Sequence, residues 1–141
     1  SQTRAKAIGL AGKYIKQRGR EAEGIVPKGA DTQSLVMELK QKLDRLDDDG
    51  IQAIHETVPR EEVYEGPYVD GAPDLIIGYN IGYRVAWDAA VGKCGSSVFS
   101  DNTKAWSGDH CIHPKLVPGV LFSSRPLRET WRPLVEPMRL M

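Results

Sequence analysis

The residues best equipped for chemistry stand together in AWSGDHCIHP, positions 105–114. The stretch holds His110 and His113, two of the three histidines, with Cys111, one of the two cysteines, and the carboxylate of Asp109. Imidazole and thiolate bind a metal when neutral or deprotonated donors converge on one ion. A self-contained structural zinc site spaces its donors in pairs a few residues apart. Here His110 and Cys111 are adjacent, so their side chains diverge, and Cys94 has no partner close by in sequence. A Cys–His nucleophilic pair is disfavoured too, because Cys111 abuts His110 with no other activating group near it. Two readings stand: one ligand lent to a site built elsewhere, or a polar turn. For the first, Gly108 lets the backbone pass close to an ion. Ser107 and Gly108 make a loop of the kind that carries ligands on a rigid sheet. Asp109 either orients His110 or faces water.

A loop needs elements to hold it. The clearest is a helix over 31–47, where Leu35, Val36, Leu39, Leu43 and Leu46 recur at helical steps. Asp31 or Thr32 is expected to cap its start. The run Asp47-Asp48-Asp49-Gly50 is expected to end it, with Gly50 at the left-handed position after the helix. These acids form a solvated turn, without the alternating oxygen ligands of a calcium loop. Residues 1–30 are broken by glycines into strands and turns. Residues 51–58 partly alternate, which predicts a half-buried strand in which His55 is a lone surface or satisfied residue. Asp74–Gly78 and Val120–Phe122 read as strands bounded by turn residues.

Composition narrows the function classes. With 141 residues, 40% hydrophobic and 27% charged, the chain can build one globular core. Nineteen basic residues balance nineteen acidic ones, so nothing favours a nucleic-acid partner. The basic residues of 1–20, Arg4 to Arg20, are expected to be solvated. No apolar run approaches the ~20 residues that span a membrane. Two cysteines make no disulfide framework, and reduced thiols favour a cytoplasmic setting, with the natural N-terminus expected upstream of Ser1. GYNIGY, residues 78–83, is not a dinucleotide fingerprint.

Three longer stretches carry a resemblance: GREAEGIVPKG (19–29), VYEGPYVDGAPDLIIGYNIGYRVAWDAAVG (63–92) and DNTKAWSGDHCIHPKLVPGVLFSSR (101–125). In this order they resemble the C-terminal part of the type I phosphodiesterase/nucleotide pyrophosphatase family, within the alkaline phosphatase superfamily. The resemblance implies an α/β fold: the C-terminal portion, incomplete here, of an α/β/α sandwich with a mainly parallel sheet. It implies a phosphohydrolase acting on a phosphate-ester small molecule with two divalent ions, zinc by expectation. The ions are held by Asp and His from several loops, and a Thr or Ser attacks phosphorus.

In that family the last metal ligand is a His in a G-x-H loop just before a strand near the C-terminal end. The position falls on His110, in Gly108-Asp109-His110. His110 is the one residue carried over as a metal ligand. No catalytic residue is assigned, because none of Thr3, Thr32, Thr57, Thr103 and Thr130 sits in a matching nucleophile motif. Relatives tend to carry an acid where this chain has His113, whose role stays open. The family-like domain is expected to span 1–125. The tail 126–141 departs from the pattern, and Pro126, Pro133 and Pro137 would break any helix through it. From the residues alone, the alternative is a non-catalytic α/β accessory or interaction domain.

Overall fold

The computed structural model describes residues 3–8, 11–93, 95–105, 108, 112–117, 122 and 124–126. The first strands are β1 (Ala5–Ile8) and β2 (Gly12–Ile15), followed by helix α1 (Ala30–Asp44). A hairpin of β3 (Asp47–Asp48) and β4 (Ile51–Gln52) comes next, then β5 (Ile54–Pro59). One helical turn, α2 (Arg60–Val63), precedes the last described strand, β6 (Leu75–Tyr79). The main sheet has the order β1-β2-β6-β5, and each of its ladders is antiparallel.

The chain is therefore mixed α/β, but the sheet differs from the mainly parallel one expected. The short link between β1 and β2 is too brief for a crossover and forces an antiparallel pair. β2 and β5 do run in the same direction, since each is antiparallel to β6. Helix α1 connects them as the crossover of a β-α-β unit, and β6 is inserted between its two strands. The arrangement is a split β-α-β, with the parallel relation kept and the parallel ladder absent.

Helix α1 packs on one face of this sheet. Its stripe buries Leu35 and Val36 against Ile15, Val26 and Leu75, with Ala5 and Leu39 packed alongside. Ile15 and Leu75 are fully enclosed, which makes the β2–β6 pair the centre of the core. The helix starts one residue before the expected span, after Gly29, and no side chain caps it. Thr32 instead donates its hydroxyl to the Pro27 carbonyl at 2.7 Å, and Asp31 lies in the first turn.

The helix also ends at Asp44, before the acidic run, which corrects the reading of Gly50 as its terminator. Asp49 (φ 50°) and Gly50 (φ 89°) are the two central residues of the β3–β4 hairpin. Positive φ at both is the demand of a tight two-residue turn, and Asp-Gly satisfies it. Asp44 ties the end of the helix to β5. Its carboxylate accepts from the Thr57 amide at 2.7 Å and from Lys40 Nζ at 2.9 Å. Burial pushes its pKa up, but the hydrogen bonds from Lys40 and Thr57 outweigh that and hold it below the ordinary value.

The single strand expected over 51–58 is two. Ala53 breaks it, donating its amide to the Leu46 carbonyl at 2.9 Å, and only the second half joins the main sheet. The strand expected at Asp74–Gly78 is β6, shifted by one residue. Val120 and Leu121 of the expected Val120–Phe122 strand lie outside the described residues, while Phe122 is 91% exposed. Residues 127–141 of the divergent tail also lie outside them. No helix among the described residues is long and apolar enough to cross a membrane.

Candidate functional site

His110 lies outside the described residues, as do Cys94, Asp109 and Cys111. Both flanks of the segment that contains His110 are described. On one side, the Gly108 carbonyl accepts from Arg84 Nη1 at 3.1 Å. On the other, Ile112 bridges Tyr79 in parallel, and the His113 amide donates to the Tyr79 carbonyl at 3.1 Å. Gly108 is thus fastened to the loop after β6, and residues 112–113 to the C-terminal end of β6.

The polar residues that follow β6 build the platform. The Asn80 side-chain amide donates to the Gln52 carbonyl at 2.9 Å and its oxygen accepts from the Ile81 amide. The Tyr83 hydroxyl donates to Asp48 at 3.0 Å, so the β3–β4 hairpin is tied in as well. Burial first, and this hydrogen bond second, raise the Tyr83 pKa. The Arg84 guanidinium lies 3.9 Å from the centre of the Trp87 ring, which orients it towards Gly108.

His113 is only 7% exposed. Its Nδ1 accepts from the Lys115 amide at 3.2 Å, capping the short 3₁₀ turn Pro114–Leu116. Its Nε2 lies 3.4 Å from Glu56, which also takes Lys115 Nζ at 3.2 Å. The His55 ring is tilted against it with centroids 4.6 Å apart. The pairing of β5 with β6 slips between Ile54 and Glu56. Such a bulge re-aims side chains, and here both His55 and Glu56 reach His113. His55 therefore packs against a second histidine. The role of His113, open from sequence, is to pack against the sheet.

An acceptor role for Nδ1 places the imidazole proton on Nε2, facing Glu56. Protonation would put a second proton on Nδ1 and remove the acceptor that caps the turn. Burial lowers the pKa of His113, as does His55; Glu56 opposes this and Lys115 adds to it. A depressed pKa in the folded state gives docking that is complete above the ordinary imidazole value of 6.5. It is lost as pH falls through the lower, folded value. The expected result is a Lys115 amide protected from exchange at neutral pH and released under mild acid. His113→Asn, which keeps a side-chain acceptor and cannot titrate, should abolish that acid step. An amide whose protection ignores pH from neutrality downward would refute it.

A second cluster is structural. Arg20 donates Nη1 and Nη2 to Asp74 and Nη2 also to the Ile15 carbonyl, with Nε on Glu21 at 2.8 Å. Asp74, 3% exposed, also accepts from the Ile15 amide at 2.7 Å and stands 3.4 Å from Arg60. Asp74 raises the Arg20 pKa further, by hydrogen bond and charge together. The groups satisfy one another around the start of β6. Their sequence separation, 54 residues between Arg20 and Asp74, is why no local pattern revealed them.

Among the described residues no three His, Cys, Asp or Glu side chains are grouped so as to hold a metal ion. No family model, curated protein or solved structure matches this chain.

Proposed function

We propose that the chain is the C-terminal part of a two-metal phosphohydrolase of the phosphodiesterase/nucleotide pyrophosphatase kind, to which it contributes His110 as one ligand. One observation carries this reading. The two longest stretches of the resemblance, 63–92 and 101–125, touch in space at Gly78–His113 and Arg84–Gly108. Stretches that build one site are expected to meet, and they meet on either side of His110.

The described residues do not make a metal site of their own. In this reading the other ligands and the nucleophile belong to residues outside the chain, as do the parallel strands of a complete α/β/α sandwich. Two of the threonines fit that division. Thr57 is fully buried, and Thr32 is 7% exposed with its hydroxyl committed to Pro27. The intact enzyme would use two zinc ions as Lewis acids on a phosphate ester. One imidazole cannot supply this, so the chain's own part is to contribute His110.

Zinc titration of the 141-residue chain, followed through the imidazole resonances, tests the assignment. His110 should respond first, weakly, with His55 and His113 unaffected. The chain should not hydrolyse an activated phosphodiester such as bis(p-nitrophenyl) phosphate, with or without zinc. Zinc-dependent turnover abolished by His110→Ala would show that the catalytic site is complete here. A response at His113 with none at His110 would overturn the ligand assignment.

A further inference from the structure

We infer that Gly78 and His113 form a steric lock that seats residues 112–117 on the sheet, and that His113 is a positioning residue for His110. The second half rests on the proposed function; the lock itself does not.

Gly78 sits in the interior of β6 opposite Glu56. A glycine there weakens a strand unless the space above it is needed. It is not among the glycines with positive φ, so its backbone conformation suits any residue. The reason for glycine is space. A Cβ at position 78 would lie 2.9 Å from both Cβ and Cγ of His113 and closer still to Cδ2. The imidazole occupies the volume that a side chain would fill.

Three further restraints hold the ring in that notch. The Lys115 amide holds Nδ1, Glu56 faces Nε2, and the tilted His55 ring covers one side. The His113 amide on the Tyr79 carbonyl fixes the backbone at the same point. The ring is therefore oriented by a hydrogen bond at Nδ1 and by Glu56, 3.4 Å from Nε2. A ring held in this way is well placed to hold a loop. With Arg84 on Gly108, the described residues before and after His110 in sequence are both fastened. Preorganisation of that kind is how a supporting residue raises a ligand's affinity, with losses of about 10- to 100-fold when it is removed.

The test is a swap of volumes, made in the whole chain. Gly78→Ala should expel the ring and speed amide exchange at His113, Lys115, Leu116 and Val117, while amides of α1 keep their protection. His113→Gly should release the same amides from the other side. Gly78→Ala combined with His113→Gly should be no worse than either alone, because the added methyl then meets no imidazole; distant, independent changes would add. His113→Asn, whose side-chain oxygen can take the Lys115 amide, should retain protection at Lys115.

Zinc added to the same samples reads the positioning role. The His110 response should need about 10-fold more zinc in Gly78→Ala than in the parent. Unchanged exchange at residues 113–117 in Gly78→Ala, or strictly additive effects in the double variant, would overturn the lock. Zinc binding at His113 itself would overturn the positioning role. A working lock with no zinc response at His110 in the parent would refute the metal reading and leave the lock standing. Should Gly78→Ala unfold the chain, the Lys115 amide in His113→Asn against His113→Ala decides: equal exchange in both would overturn the proposal.

Discussion

Asp74→Ala is expected to destabilise the chain by about 3–5 kcal/mol, the cost of removing one partner from a buried ion pair. That is a large share of the ~5–15 kcal/mol that holds a domain of this size together. The carboxylate takes two guanidinium donors from Arg20 and the amide of Ile15. Without it, Arg20 keeps only Glu21 and the Ile15 carbonyl for a charge that is 19% exposed. The Ile15 amide, in the centre of the core, keeps no acceptor. Asp74→Asn should cost less, since the amide oxygen still serves Ile15. Arg20→Ala added to Asp74→Ala should cost little more than Asp74→Ala alone, because the stranded charge is gone. Urea unfolding of the four proteins measures this. An Asp74→Ala midpoint equal to that of the parent would show that the clasp is energetically idle.

The second large effect concerns catalysis. If the proposed function holds, His110→Ala in an enzyme that contains this chain entire should remove one metal bond and reduce turnover by more than ~100-fold, beyond the range of a supporting residue. His113→Ala should fall within that supporting range, about 10- to 100-fold, because it loosens a flank without removing a ligand. Cys111→Ala and His55→Ala should cost least. Metal content distinguishes the cases: His110→Ala should lose zinc stoichiometry, whereas His113→Ala should retain it at saturating zinc. A His110→Ala enzyme with full zinc and near-parent turnover would refute the assignment and with it the proposed function.

The parts of this fold that declared themselves in sequence are those governed by local periodicity. Leu35, Val36 and Leu39 announced α1, and the apolar run after Asp74 announced β6. The acidic run was misread because a glycine at positive φ serves both a helix terminator and a hairpin turn. Asp49-Gly50 followed by Ile51 was the hairpin signal. Strand order was not legible, since insertion of β6 between β2 and β5 depends on pairing across more than fifty residues. The notch at Gly78 has the same cause. Its glycine was visible as the end of the expected strand Asp74–Gly78, but the imidazole that requires it comes from a distant segment. His55 looked solitary because a bulge, rather than a sequence neighbour, brings it to His113.

The insertion of β6 also dictates a timetable. The first half of the chain can form the β1–β2 hairpin and coil α1, both from short-range contacts. Yet Ile15 meets Leu75 only once the strand that ends at Tyr79 has been made. Until then β2 and β5 have no neighbour between them, and the apolar stripe of α1 has half a floor. Late closure of a sheet by its own central strand makes the loop entropy fall due before the core rewards it, which slows folding. A chain synthesised only as far as β5 lacks the strand that joins β2 to β5.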